Sequence, residues 1–188
     1  MLSLHIDRKQ KLVHLFLTTM CVFAVMLVCA ASTSPLYPYY NNGDSAIFLL
    51  IGKGLTEGKV CYADLFDHKG PIHFLIEALG WRIAGRTGVW LLESLMTIAC
   101  VFLAQEICKE IGSKSLLPLL AAGIVYLYLF GHGNLTEDYS MLPVLLCLYL
   151  SVRYYTSRLL KHPPVYAFVY GVCFGLLALS RVNNALVI

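Results

Sequence analysis

Between Tyr62 and Pro71 the chain reads Tyr-Ala-Asp-Leu-Phe-Asp-His-Lys-Gly-Pro, which sets two carboxylates, an imidazole and an ammonium within six residues (Asp64 to Lys69). Such a set can hold and move charge. Lys69 suits a phosphate as a point charge. Asp67, His68 and Tyr62 suit the positioning of a polar substrate. Asp64 and Asp67 together could hold a divalent cation, although two carboxylates three apart also make an ordinary solvated turn. Three further polar groups belong beside this one. Asp44 follows Asn41-Asn42-Gly43 and suits either a helix N-cap or a general base. Glu137 and Asp138 open a later apolar run, where acids favour the positive end of a helix. Arg181, before Val182-Asn183-Asn184, either snorkels to lipid headgroups or lines a cavity that takes an anion. Glu93 lies deep in an apolar run, and Arg181 is a candidate partner for it.

The elements that must carry these residues are membrane helices. Of 188 residues, 59% are hydrophobic and 13% charged, and the mean hydropathy is +0.71. Soluble domains carry about 25% charged residues. The composition excludes a soluble enzyme, a disordered segment and a disulfide-stapled secreted module. A net charge of +3 without a basic aromatic stripe argues against nucleic acid. Apolar runs near the length that spans a bilayer fall at about 12–31, 89–108, 115–131, 139–155 and 165–185. The expected fold is therefore all-α: a multi-pass transmembrane bundle of about five spans over 1–188, in the cell membrane. It has a long first outer loop at 32–88.

Lysine and arginine set the orientation. Eight of the fourteen (Arg8, Lys9, Lys11, Lys109, Lys114, Arg153, Arg158 and Lys161) fall in clusters that place the N-terminus and two later connections in the cytoplasm. Asp44, Lys69, Glu137 and Arg181 then all face outward. Within the outer loop, Ala46–Leu55 and Ile72–Ala84 read as short helices, the second framed by Pro71 and Gly85. About 14 residues are too few to span, so that helix is expected to lie in the interface, with His73 and Glu77 four apart on one face. Trp81 and Arg82 sit near its end, as residues at headgroup level do. Asn134-Leu135-Thr136 is a formal glycosylation sequon, read as chance. The spans contain no CxxC, phosphate loop or nucleophile elbow.

At Asp44-Ser45, Gly58 to Pro71, Leu135 to Ser140 and Arg181 to Asn184 the chain resembles the N-terminal part of bacterial GT-C membrane glycosyltransferases. The branch it resembles is the protein mannosyltransferase-like, aminoarabinose-transferase-like one, glycosyltransferase 39 type. The resemblance implies transfer of a sugar from a polyprenyl-phosphate carrier to an acceptor outside the cytoplasm. It implies Asp44 as general base or acceptor-positioning group, Lys69 on the donor phosphate, and Glu137, or else Asp138, as the second acid. Beside these, Arg181 is a candidate second phosphate-binding residue, and Tyr62, Asp67, His68, His73 and Asp138 are candidate substrate-positioning ones. No metal ligand is assigned; a divalent cation held by Asp67, His68 and Glu137 requires the two loops to meet. Many relatives read Lys-Pro-Pro where this chain has Lys69-Gly70-Pro71, which leaves sugar and acceptor open. Relatives continue beyond five spans, so the chain is expected to be a fragment. The competing class is a non-catalytic membrane protein, a transporter or a lipid-carrier or assembly subunit. A transporter would show broken midplane helices and repeated halves, whereas these spans read as mostly unbroken.

Overall fold

The computed structural model describes residues 2–38, 43–112, 121, 132–157 and 161–186. Among them the architecture is helical, with no strand beyond an isolated bridge between Cys61 and Leu65. The helices are α1 (Leu2–Cys29), α2 (Gly43–Thr56), α3 (Pro71–Glu110), α4 (Thr136–Thr156), α5 (Pro164–Ser180) and the short α6 (Val182–Ala185). The expected third span, 115–131, lies outside the described residues apart from Ala121, as do Asn41 and Asn42.

Among the described residues two helices are long and apolar enough to cross a membrane: the Lys9–Cys29 part of α1 and α3, with mean hydropathies of 2.4 and 1.8 over their most apolar stretches. Leu12, Phe16, Leu17, Met20 and Val28 of α1 are exposed, an apolar surface that suits lipid and not water. No other helix among the described residues is both long and apolar enough. α4 has the length, but Arg153 and its tyrosines make it less apolar than α1 and α3. α5 is apolar but has 17 residues. The fifth span does not run to 185: Arg181 is extended (φ −156°, ψ 118°) and breaks the helix after Ser180.

The expected helix framed by Pro71 and Gly85 forms, but it does not stand apart from the next span. α3 is two helices joined at Ala84 (φ −157°) and Gly85 (φ 59°, ψ −142°), a backbone that glycine adopts without a Cβ penalty. The chain folds back there. A Cβ on Gly88 would lie 2.0 Å from the Gly80 carbonyl oxygen, although eight residues of continuous helix would separate them by about 12 Å.

The halves of this hairpin have different partners. The second packs on α1 through Val22, Met26, Cys29, Ala30 and Val101, with the Trp90 indole donating to the Met26 carbonyl at 3.2 Å. The first packs on α2 through Phe48, Ile51 and Phe74. Arg86, just past the turn, donates to the carbonyls of Ser32 (2.9 Å), Ala31 (3.0 Å) and Ser34 (3.2 Å). These lie just beyond the end of α1, where a cation also meets the negative end of the helix dipole. Arg86→Ala should therefore lower stability by about 2 kcal/mol, seen as an earlier thermal unfolding in detergent. Lys, with no planar fork, should restore only part of it.

α4 and α5 are tied at both ends. Ser151 and Tyr170 hydroxyls stand 3.0 Å apart. Asn184, in α6, donates to Ser140 at 2.6 Å. The clamp on α4 makes the break at Arg181 part of the packing: α6 turns back toward the start of α4.

Candidate functional site

Loop 57–70 reaches its shape through side-chain hydrogen bonds to its own backbone. The Val60 amide donates to Asp64 Oδ2 at 2.8 Å, and the Lys69 amide donates to Asp67 Oδ1 at 3.0 Å. Tyr62 has a positive φ of 69°, uncommon for a bulky residue, and its hydroxyl crosses the loop to donate to the Lys69 carbonyl at 2.7 Å. Partial burial, with Cys61 and Asp67 close by, pushes the Tyr62 phenol above its ordinary range. It remains a donor. The loop ends on α5, where the Gly70 amide donates to the Ser180 carbonyl at 2.7 Å.

This clasp presents Lys69 to the start of α2. Lys69 is 6% exposed, yet Asp44 Oδ2 and Asp67 Oδ1 each stand 3.7 Å from its ammonium. The ammonium also lies over the Phe48 ring, 5.1 Å from its centroid. Asp44 itself is 58% exposed, in the first turn of α2. One of its oxygens faces the lysine while the carboxylate stays open to solvent. His68 points outward, 3.6 Å from Asp67.

Glu137 does not share this lysine. It forms an ion pair with Arg181, and both side chains are partly exposed. The two charge clusters are nevertheless neighbours along the chain contacts, since the Gly70–Ser180 hydrogen bond joins residues next to Lys69 and Arg181. Arg181 is therefore not the partner of Glu93. Glu93 is buried and accepts from the Thr33 hydroxyl at 2.6 Å and the Asn134 amide at 2.7 Å. Asp138 is buried too, and its Oδ2 accepts the Leu135 amide at 2.8 Å, capping α4.

His73 and Glu77 share a face as their spacing requires, but it is an interior face, with both side chains fully buried and 3.9 Å apart. The His73 ring meets Phe48 and Tyr139 edge-on, at centroid distances of 4.4 and 5.1 Å. His73 therefore lies beneath the lysine cluster and not at its surface. Asp64 and Asp67 are each engaged by backbone amides. Among the described residues no group of three or more His, Cys, Asp and Glu is placed to hold a metal ion.

Two features escaped the sequence. Phe48 beneath Lys69 reads in the sequence as one more apolar residue of α2. Ser45, Asn134 and Tyr139 are joined by hydrogen bonds spanning up to 89 residues. The only local sign of the latter is the Gly133-Asn134 pair, whose φ values of 91° and 60° mark a tight turn.

Beside the cluster runs an apolar groove of about 380 Å³, walled by Ile72, Ile76, Leu142, Leu146, Val172 and Leu176. Its polar groups are Tyr139, Ser140 and Ser180, the last adjacent to Arg181. The groove meets the Asp44–Lys69–Asp67 cluster through Ser180, whose carbonyl accepts from the Gly70 amide. No family model matches the chain, and neither a curated protein nor a solved structure does.

Proposed function

We propose that the chain is part of a membrane glycosyltransferase that moves a sugar from a polyprenyl-phosphate carrier to a hydroxyl acceptor at the extracytoplasmic face of the cell membrane. The observation that carries the reading is the Asp44–Lys69–Asp67 cluster: a buried ammonium next to a carboxylate that stays exposed. Both carboxylates stand outside hydrogen-bond distance of the ammonium, so a phosphate can take its N–H groups without first breaking a hydrogen bond. Asp44 then accepts the proton of the attacking hydroxyl. The acceptor oxygen bonds to the anomeric carbon, the bond from that carbon to the phosphate oxygen breaks, and polyprenyl phosphate leaves with the electron pair. Low exposure of Lys69 strengthens its hold on the charge that gathers on the leaving phosphate. The adjoining groove suits the first isoprene units of the carrier, and the resemblance at Tyr62–Pro71 favours the same donor class.

The test is transfer, or slow hydrolysis, of labelled sugar from a panel of synthetic polyprenyl-phosphate sugars by the full-length gene product in nanodiscs. Nucleotide sugars serve as the contrast. Lys69→Ala should raise the apparent KM for the lipid-linked donor by about tenfold or more, the worth of one charge-assisted contact. An unchanged kcat/KM would remove the phosphate role.

A further inference from the structure

Asp44 owes its place to a residue 90 positions away in the chain. The turn before α4 holds three successive residues with positive φ, His132 (73°), Gly133 (91°) and Asn134 (60°). Two of them are not glycine, so this backbone is held by its surroundings. It is pressed on α3: a Cβ on Gly133 would stand 2.6 Å from Glu93 Oε1. The conformation buries Asn134 completely and turns each of its polar groups toward a different element. Its amide donates to Glu93 of α3 at 2.7 Å. Its Oδ1 accepts from the Tyr139 hydroxyl of α4 at 2.9 Å. Its Nδ2 donates to the Ser45 hydroxyl of α2 at 2.8 Å.

Ser45 is the neighbour of Asp44. Among the described residues the rest of α2 is held mainly by apolar contact, through Phe48, Ile51 and the close passage of Gly52 over Glu77, with Lys53 lying over the Trp81 ring. Such contacts fix where a helix lies but tolerate rotation and sliding, because dispersion forces are not directional. A buried hydrogen bond is directional. The Ser45–Asn134 bond therefore sets the rotation of the first turn, and with it the approach of the Asp44 carboxylate to Lys69. We infer that Asn134 is a positioning residue, which through Ser45 holds Asp44 in register with Lys69. The activity part of its test rests on the transferase reading above; the structural part does not.

The experiment compares Ser45→Ala, Asn134→Ala and the double variant in the full-length protein in nanodiscs. Hydrogen exchange followed by mass spectrometry should show the amides of residues 47–50, the first of α2 with helical carbonyl partners, exchanging about tenfold faster in both single variants. Those of α5 should be unchanged, and the double variant should be no worse than Asn134→Ala. With a labelled polyprenyl-phosphate sugar, kcat should fall by up to about 100-fold, the cost of a misplacement near 1 Å, while the donor KM stays put. Exchange that is unchanged in α2, faster everywhere alike, or additive in the double variant overturns the inference. If Asn134→Ala fails to fold, Ser45→Ala alone decides, because it deletes the same bond from the α2 side and leaves the Asn134 bonds to Glu93 and Tyr139 in place. A wild-type protein that transfers from no lipid-linked sugar overturns the transferase reading, while the exchange pattern still decides the positioning role.

Discussion

Asp44→Asn should reduce sugar transfer by about a thousandfold, within the range a positioned general base contributes, while leaving the protein folded. The substitution keeps the shape of the side chain but removes its negative charge and with it the capacity to take a proton. The structure gives little reason for any other loss. Asp44 is more than half exposed, and its carboxylate stands 3.7 Å from the Lys69 ammonium, so no hydrogen bond between them is lost. The first turn of α2 remains held by Ser45. The expected pattern is therefore a fall in kcat with a nearly constant donor KM and an unaltered thermal unfolding. Two results would count against the role. Full activity would mean that another group takes the proton, and a raised KM with intact kcat would make Asp44 a companion of Lys69 in donor binding. Asp67→Asn provides the internal contrast: Asp67 is also 3.7 Å from Lys69 but spends an oxygen on the Lys69 amide. Its loss should reshape the loop and weaken donor binding instead.

What could be read in the sequence divides by the range of the interactions involved. Pro71 starts a helix and Gly85 interrupts one because φ preferences are local. Asp138 caps α4 for the same reason, and the proximity of Asp64, Asp67 and Lys69 follows from their spacing alone. The fold-back at Gly85 was half legible. Glycine marked the boundary, but only contact between Gly80 and Gly88 makes it a hairpin, and contact is a tertiary fact. The break at Arg181 was not legible, because Val182 to Ala185 are apolar or helix-compatible. What interrupts the helix there is packing, with Asn184 drawn to Ser140 and Arg181 to Glu137. Likewise nothing local pairs Glu93 with Thr33, 60 residues away. An acid within an apolar run announces that it needs partners but does not name them.

Gly70 decides how firmly the site is built, and substituting it should have the largest structural effect. A Cβ at this position would fall 2.0 Å from the Leu179 carbonyl oxygen and 2.5 Å from its carbon. Both are backbone atoms at the end of α5, so no side chain can move aside. Gly70→Ala should therefore cost about 1–3 kcal/mol, as overpacking does. It should also lift loop 57–70 from α5, carrying Lys69 out of its buried place. Proline is the sharper test. Gly70 sits at φ −79°, which proline adopts without strain, so the backbone angle does not forbid it. Proline would nevertheless add the same Cβ and delete the amide that donates to Ser180 at 2.7 Å, leaving a carbonyl at the helix end without its partner. Gly70→Pro should thus unfold at a lower temperature than Gly70→Ala, and donor KM should rise in both as Lys69 loses its seat. A proline variant as stable as the parent would mean that the loop does not dock on α5 through Gly70. Lys69 would then owe its burial to Phe48, Asp67 and Asp44 and not to the Gly70 contact.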